Sequence, residues 1–141
     1  MNKNALKSIG AVLAGAVASI ILEISTDELL HVTGVFPPIG QPMNNGLFLL
    51  ATLHRTIFGV LGAYITARLA PSQPMLHALI LGAIGVAVAI LGTVVTWNKG
   101  PEFGPHWYPI TLVLLGMPQS WIGGKLRELQ LASHIGAESA R

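Results

Sequence analysis

Four long apolar stretches, separated only by short breaks rich in proline and glycine, constrain this chain more than any other feature. They cover about residues 8–31, 46–69, 75–97 and 106–126. Each has roughly 20 residues or more, enough at ~1.5 Å per residue to cross ~30 Å of hydrocarbon as a helix. The breaks read GVFPPIGQPMNN (34–45), APSQP (70–74) and NKGPEFGP (98–105). Their prolines cannot continue a helix and are common just beyond a helix end. The pattern predicts an all-α polytopic membrane protein. A single bundle of four transmembrane helices occupies residues 1–127, followed by a short polar tail at 128–141 that frays.

Composition supports the same class. Of the 141 residues, 52% are hydrophobic and 10% charged, whereas a soluble domain carries about 25% charged residues. The chain is also far too apolar for intrinsic disorder. With no cysteine, it has no disulfide, thiolate zinc site or cysteine nucleophile. Lys3 and Lys7 precede an apolar run from Ile9 to Leu22, and Ala16-Val17-Ala18 has the form of a signal-peptidase site. Cleavage there would divide the run and leave Ser19-Ile20-Ile21-Leu22 as a mature start, so the segment is read as a retained first helix.

Charge placement predicts orientation. With four spans, both termini and the middle loop share one side. That side holds Lys3, Lys7, Arg68, Lys125, Arg127 and Arg141, six of the eight basic residues. The opposite side holds Lys99, and Arg55 lies within a span. The positive-inside rule then puts both termini in the cytoplasm of a bacterial-type inner membrane. Basic residues beside anionic headgroups account for the sequence pI near 9.3 without any nucleic-acid partner. Trp97, Phe103, Trp107 and Tyr108 mark the outer boundary, and Tyr64 and Trp121 the inner one.

Ionisable residues inside spans are costly and face protein or water, which makes them candidates for function. The first stretch carries Glu23, Asp27 and His31 at i, i+4 and i+8, on one face about 80° wide. That face continues through Val12, Ala16, Ser19 and Ile20. In the second stretch, Arg55 lies about 15 Å from the outer end, on a face with Asn44, Phe48, Ala51, Gly59, Gly62 and Thr66. A buried guanidinium needs a carboxylate; by depth Glu23 is the nearest and Asp27 the second. His54 points about 100° away from Arg55, so the two are not expected in the middle of one pocket. In the fourth stretch, Pro118 predicts a kink, read first as purely structural and second as freeing a carbonyl, beside Gln119 and Ser120, to line a cavity.

Two small-residue faces are read as packing surfaces: Ala78, Gly82, Gly85, Ala89, Gly92 and Thr96 in the third stretch, with a pore lining as the lesser alternative, and Ala11, Ala14 and Ala18 in the first. The second of these would meet a neighbouring helix or another subunit. At the outer mouth, Asp27, His31, Glu102 and His106 are weak candidates for a metal site, with Asn44 and Asn45 nearby. His77 and His134 are read as interfacial or solvated. No Walker loop, dinucleotide glycine pattern, GxSxG or HExxH is present, and no cofactor is indicated.

Three classes of function fit these residues. The first is a transporter or channel, expected as a homodimer, in which Glu23, Asp27 and Arg55 bind an ion, proton or small solute, with His31, His54, Gln119 and Asn44 in support. The second is an intramembrane enzyme acting on a lipid-like substrate, with Glu23 or Asp27 as general acid or base. It requires an apolar pocket that ends at the acidic stripe. The third is an accessory or assembly subunit whose buried charges only lock helices together. The first ranks ahead of the others.

Overall fold

A computed structural model describes residues 2–139. Arg141, counted above with the basic side, lies outside them. The described chain is all-helical: α1 (Lys3–Val32), α2 (Asn45–Leu69), α3 (Pro74–Thr96) and α4 (Trp107–Ser139), with a 3₁₀ turn at Pro101–Phe103 before α4. Local chemistry explains the boundaries. Asn44 Oδ1 caps α2 by accepting from Leu47 N at 3.0 Å. Pro74 opens α3, where its missing N–H removes no helical bond. Chain reversal after α1 uses Gly34 at φ 75°, a left-handed conformation that glycine adopts without penalty.

α1, α2 and α3 are long and apolar enough to cross a membrane. α4 is not in that set, because Pro118, Gln119, Ser120 and Lys125 dilute its apolar run. Nor does α4 stop near residue 126 and fray: it continues to Ser139. Nothing between Lys125 and Ala132 breaks a helix, and Lys125 Nζ pairs with Glu128 Oε2 one turn on, at 3.2 Å.

The contacts define the bundle. Glu23 and Asp27 face Arg55, and Gly15 meets Gly62 and Thr66, so α1 and α2 are antiparallel. Trp107 reaches Asn45, Gly123 packs on Val60 and Ala63, and Tyr64 bonds Gln130, so α2 and α4 run parallel. α3 lies antiparallel against α4, with Gly82 on Ser120 and Gly124 on Ala78. α2 and α4 therefore form the centre, α1 flanks α2, and α3 flanks α4.

Small residues permit this packing. A Cβ added at Gly15 would collide with Thr66 Oγ1 and the Gly62 carbonyl, and one at Gly123 would lie 2.7 Å from Ala63 Cβ. Ala63, Ala67 and Ala78 form the tightest core. Large apolar side chains point outward instead, among them Ile24, Leu91, Val94 and Leu114, all more than 60% exposed. A soluble monomer rarely shows so continuous an apolar exterior; small residues inside and large ones outside suit a lipid surround.

Of the two small-residue faces, that of α3 does not serve packing alone, whereas that of α1 packs within the chain. On α3, Ala78 and Gly82 are buried, Gly85 and Ala89 line a cavity described below, and Gly92 has open space beside it. On α1, Ala11 is buried within the chain itself and is not left for a second subunit.

Gly15→Val should push α1 off α2 and lower stability by about 2 kcal/mol or more. Gly10→Ala, with nothing within 4 Å of the new methyl, should stabilise by ~0.5–1 kcal/mol. Equilibrium unfolding in a fixed detergent checks both signs.

Candidate functional site

Arg55 projects from the middle of α2 between two carboxylates of α1. Its Nη1 donates to Glu23 Oε2 at 3.3 Å, and its Nη2 makes a short contact with Asp27 Oδ2. Glu23 and Asp27 are one turn apart, so the two ends of a single guanidinium fork reach both. Asp27, not Glu23, is thus the closer partner, and Glu23 is the second.

His54, although it leaves α2 about 100° away from Arg55, joins the same cluster through Asp27. Its Nε2 lies 3.0 Å from Asp27 Oδ1, poorly aligned for a linear hydrogen bond. The 100° offset between neighbours on a helix applies at Cα. Arg55 reaches back along its long stem, so its charged head and the His54 ring approach Asp27 from two sides.

A proton count follows from these contacts. His54 Nδ1 is 3.1 Å from the Leu50 carbonyl oxygen, which can only accept, so Nδ1 carries hydrogen. Nε2 then faces a carboxylate oxygen. That approach is attractive only if a further proton resides on Nε2 or on Asp27. In either case Glu23, Asp27, Arg55 and His54 sum to zero charge; without that proton they sum to minus one. Arg55 Nε is buried and has no acceptor among the described residues.

Tyr108 at the start of α4 completes the surroundings. Its ring packs on Phe48 with centroids 4.9 Å apart and is half-buried. The sequence reading had assigned Tyr108 to the outer aromatic boundary. Pairing with Phe48 turns it inward, and nothing in the linear pattern signalled that.

A cavity of about 340 Å³ adjoins the cluster, lined by all four helices. Glu23 and Arg55 are its charged end. Ser19, Gln119 and Ser120 add polar groups, and Ile20, Leu81, Ile84, Val88 and Leu112 form apolar walls. The Gln119 amide lies where a Cβ on Gly59 would be. Ser120 Oγ donates to the Gly116 carbonyl at 3.0 Å, satisfying itself as serines in helices do. Asp27, His54 and Tyr108 do not line this cavity.

The outer-mouth residues do not converge. His31 Nδ1 donates to the Pro37 carbonyl at 2.7 Å and its ring meets Phe36 edge-on. His106 donates from Nε2 to the Trp97 carbonyl at 3.0 Å and stacks on Trp97 at 4.1 Å. Asn44 is occupied as the α2 cap, Asn45 accepts from Trp107, and the Glu102 carboxylate lies over Gly100. Each side chain is used by its own loop or helix end. Among the described residues no three His, Cys, Asp or Glu side chains gather to hold a metal ion. His77 is buried and bonds the Gln73 carbonyl, so it is not solvated.

No protein-family model, curated protein or solved structure matches this chain. The site is therefore interpreted from its own chemistry.

Asp27→Asn should cost on the order of 3 kcal/mol, since it leaves Arg55 with one carboxylate and His54 with none. Glu23→Gln should cost about 1 kcal/mol, because Asp27 still neutralises Arg55. Equal losses in equilibrium unfolding would contradict this ranking.

Proposed function

We propose that the chain is a four-span membrane protein, both termini cytoplasmic, that binds a small amphipathic cation in its central cavity and exchanges it for a proton. α4 is the fourth span on this reading; its parallel packing on α2 and the contribution of Gly116, Gln119 and Ser120 to the cavity support that role. The carrying observation is the charged end, formed by Glu23 and Arg55, of a largely apolar cavity. A volume of about 340 Å³ equals roughly ten water molecules, which suits a small solute.

The charge count supplies the coupling. When the cluster holds its extra proton it is neutral and has no net pull on a cation. When that proton leaves, one carboxylate is in excess, and Glu23 is the one facing the cavity. Cation and proton then compete for the same negative charge. A permanently protonated Arg55 keeps the resting site from carrying two bare carboxylates in a low-dielectric interior. The apolar walls bind the hydrocarbon part of the solute.

The enzyme reading finds an apolar pocket with Glu23 as its general acid or base, but the His54–Asp27 contact that would supply a second proton-transfer group lies outside the cavity, so it ranks second. The purely structural reading leaves the cavity at Glu23 without a role.

Purified protein should be stabilised by short alkylammonium ions and not by alcohols of equal chain length. Glu23→Gln should abolish both this thermal shift and alkylammonium flux in proteoliposomes. His54→Gln, which removes one of the two groups able to hold the extra proton, should leave binding but weaken proton-driven flux. Unchanged flux in Glu23→Gln would sink the proposal.

A further inference from the structure

A second site lies away from the central cavity, on the outer surface between α2 and α4 at the end of the bundle that carries the basic residues. There the two parallel helices enclose an apolar groove of about 650 Å³. Ile57 and Leu61 of α2 form one wall, and Leu126 and Leu129 of α4 the other. At one end the groove becomes polar. Arg68 Nη1 donates to the Tyr64 hydroxyl at 3.0 Å, and Tyr64 donates to Gln130 Oε1 at 2.8 Å. Arg127 Nη1 reaches the same Gln130 oxygen at 3.5 Å.

Two guanidiniums thus converge on one hydrogen-bonded pair. Neither has a carboxylate within ion-pair distance among the described residues; the nearby Glu128 is taken by Lys125. Like charges brought together without a counter-ion, at the end of an apolar trough, present one ligand chemistry: an anionic head with a hydrocarbon tail. Guanidiniums suit a phosphate because their planar donors can engage two oxygens.

We infer that this groove binds a single anionic phospholipid, its phosphate between Arg68 and Arg127 and one acyl chain along Leu61 and Leu129. The inference rests on the membrane-spanning reading, but not on the transport reading. Basic residues at a membrane surface already favour anionic lipids; the groove adds a place for the chain. Tyr64 and Gln130 hold the two arginines at the headgroup level. The occupied groove ties the end of α2 to the portion of α4 that runs past it.

Native mass spectrometry of the delipidated full chain in detergent tests this. The probes are phosphatidylglycerol and phosphatidylcholine with identical acyl chains. Retention of phosphatidylglycerol should exceed that of phosphatidylcholine by about tenfold or more. Arg68→Gln with Arg127→Gln should bring the ratio to within about twofold. Arg68→Lys with Arg127→Lys, which keeps the charges, should retain most of the preference and guards against a folding defect. Leu129→Trp, which fills the trough, should lower phosphatidylglycerol retention several-fold with both arginines intact. Glu23→Gln should leave the ratio unchanged, so failure of the cavity proposal and failure of this one are separable. A preference that survives in the double glutamine variant would overturn the inference. So would displacement of the lipid by millimolar inorganic phosphate, or a dimer that retains no lipid.

Discussion

A guanidinium cannot shed its proton, so Arg55 must be neutralised wherever the fold puts it. The bundle meets that demand from one neighbour only. Glu23 and Asp27, a turn apart on α1, take the two ends of the fork. The consequences spread outward. α1 must lie against α2 at a fixed register, which brings Gly15 onto Gly62 and Thr66 two turns further along. Two carboxylates for one arginine leave a residual negative charge, and His54 lies where it can offset that charge. The cavity then inherits a wall with a carboxylate already in place. Without Arg55, neither the helix register nor the polarity of the cavity has a cause.

The packing divides the bundle by residue size more than by polarity. Contacts between helices are made by glycine, alanine, serine and threonine, while leucine, isoleucine and valine face outward. Where the small residues meet a partner, as at Gly82 and Gly123, backbones come close. Where α3 presents Gly85 and Ala89 without a tight partner, space remains, and that space is part of the cavity. The same residue class therefore builds both the contacts and the void.

Much of this was legible in the sequence, for physical reasons that also mark its limits. Apolar runs between proline-rich breaks specify helices directly, and the helical boundaries follow them. The 3.6-residue period placed Glu23, Asp27 and Arg55 on facing sides, because facing is a backbone property. The contact between His54 and Asp27 was not legible, since it depends on how far two side chains lean from their own Cα positions. Tyr108 turned inward because Phe48, 60 residues earlier, offered it a ring. The outer histidines failed to gather because the Pro37 and Trp97 carbonyls were closer acceptors, and loop geometry is what decides such proximity. The end of α4 was read as frayed from its polarity, although polarity alone does not stop a helix that lacks a breaker.

The order in which the chain is made gives the α1–α2 pairing a further meaning. Both carboxylates and their arginine lie within the first 55 residues, on consecutive helices. Inserted alone, α1 would carry two acidic groups into hydrocarbon, each costing a few kcal/mol. Entering together with α2 as a hairpin, it arrives with those charges already matched. α4, made after both, brings no acidic group to that site and packs into the parallel groove beside α2. The charge cluster that organises the finished site is thus matched as soon as α1 and α2 pair, before the cavity it borders exists.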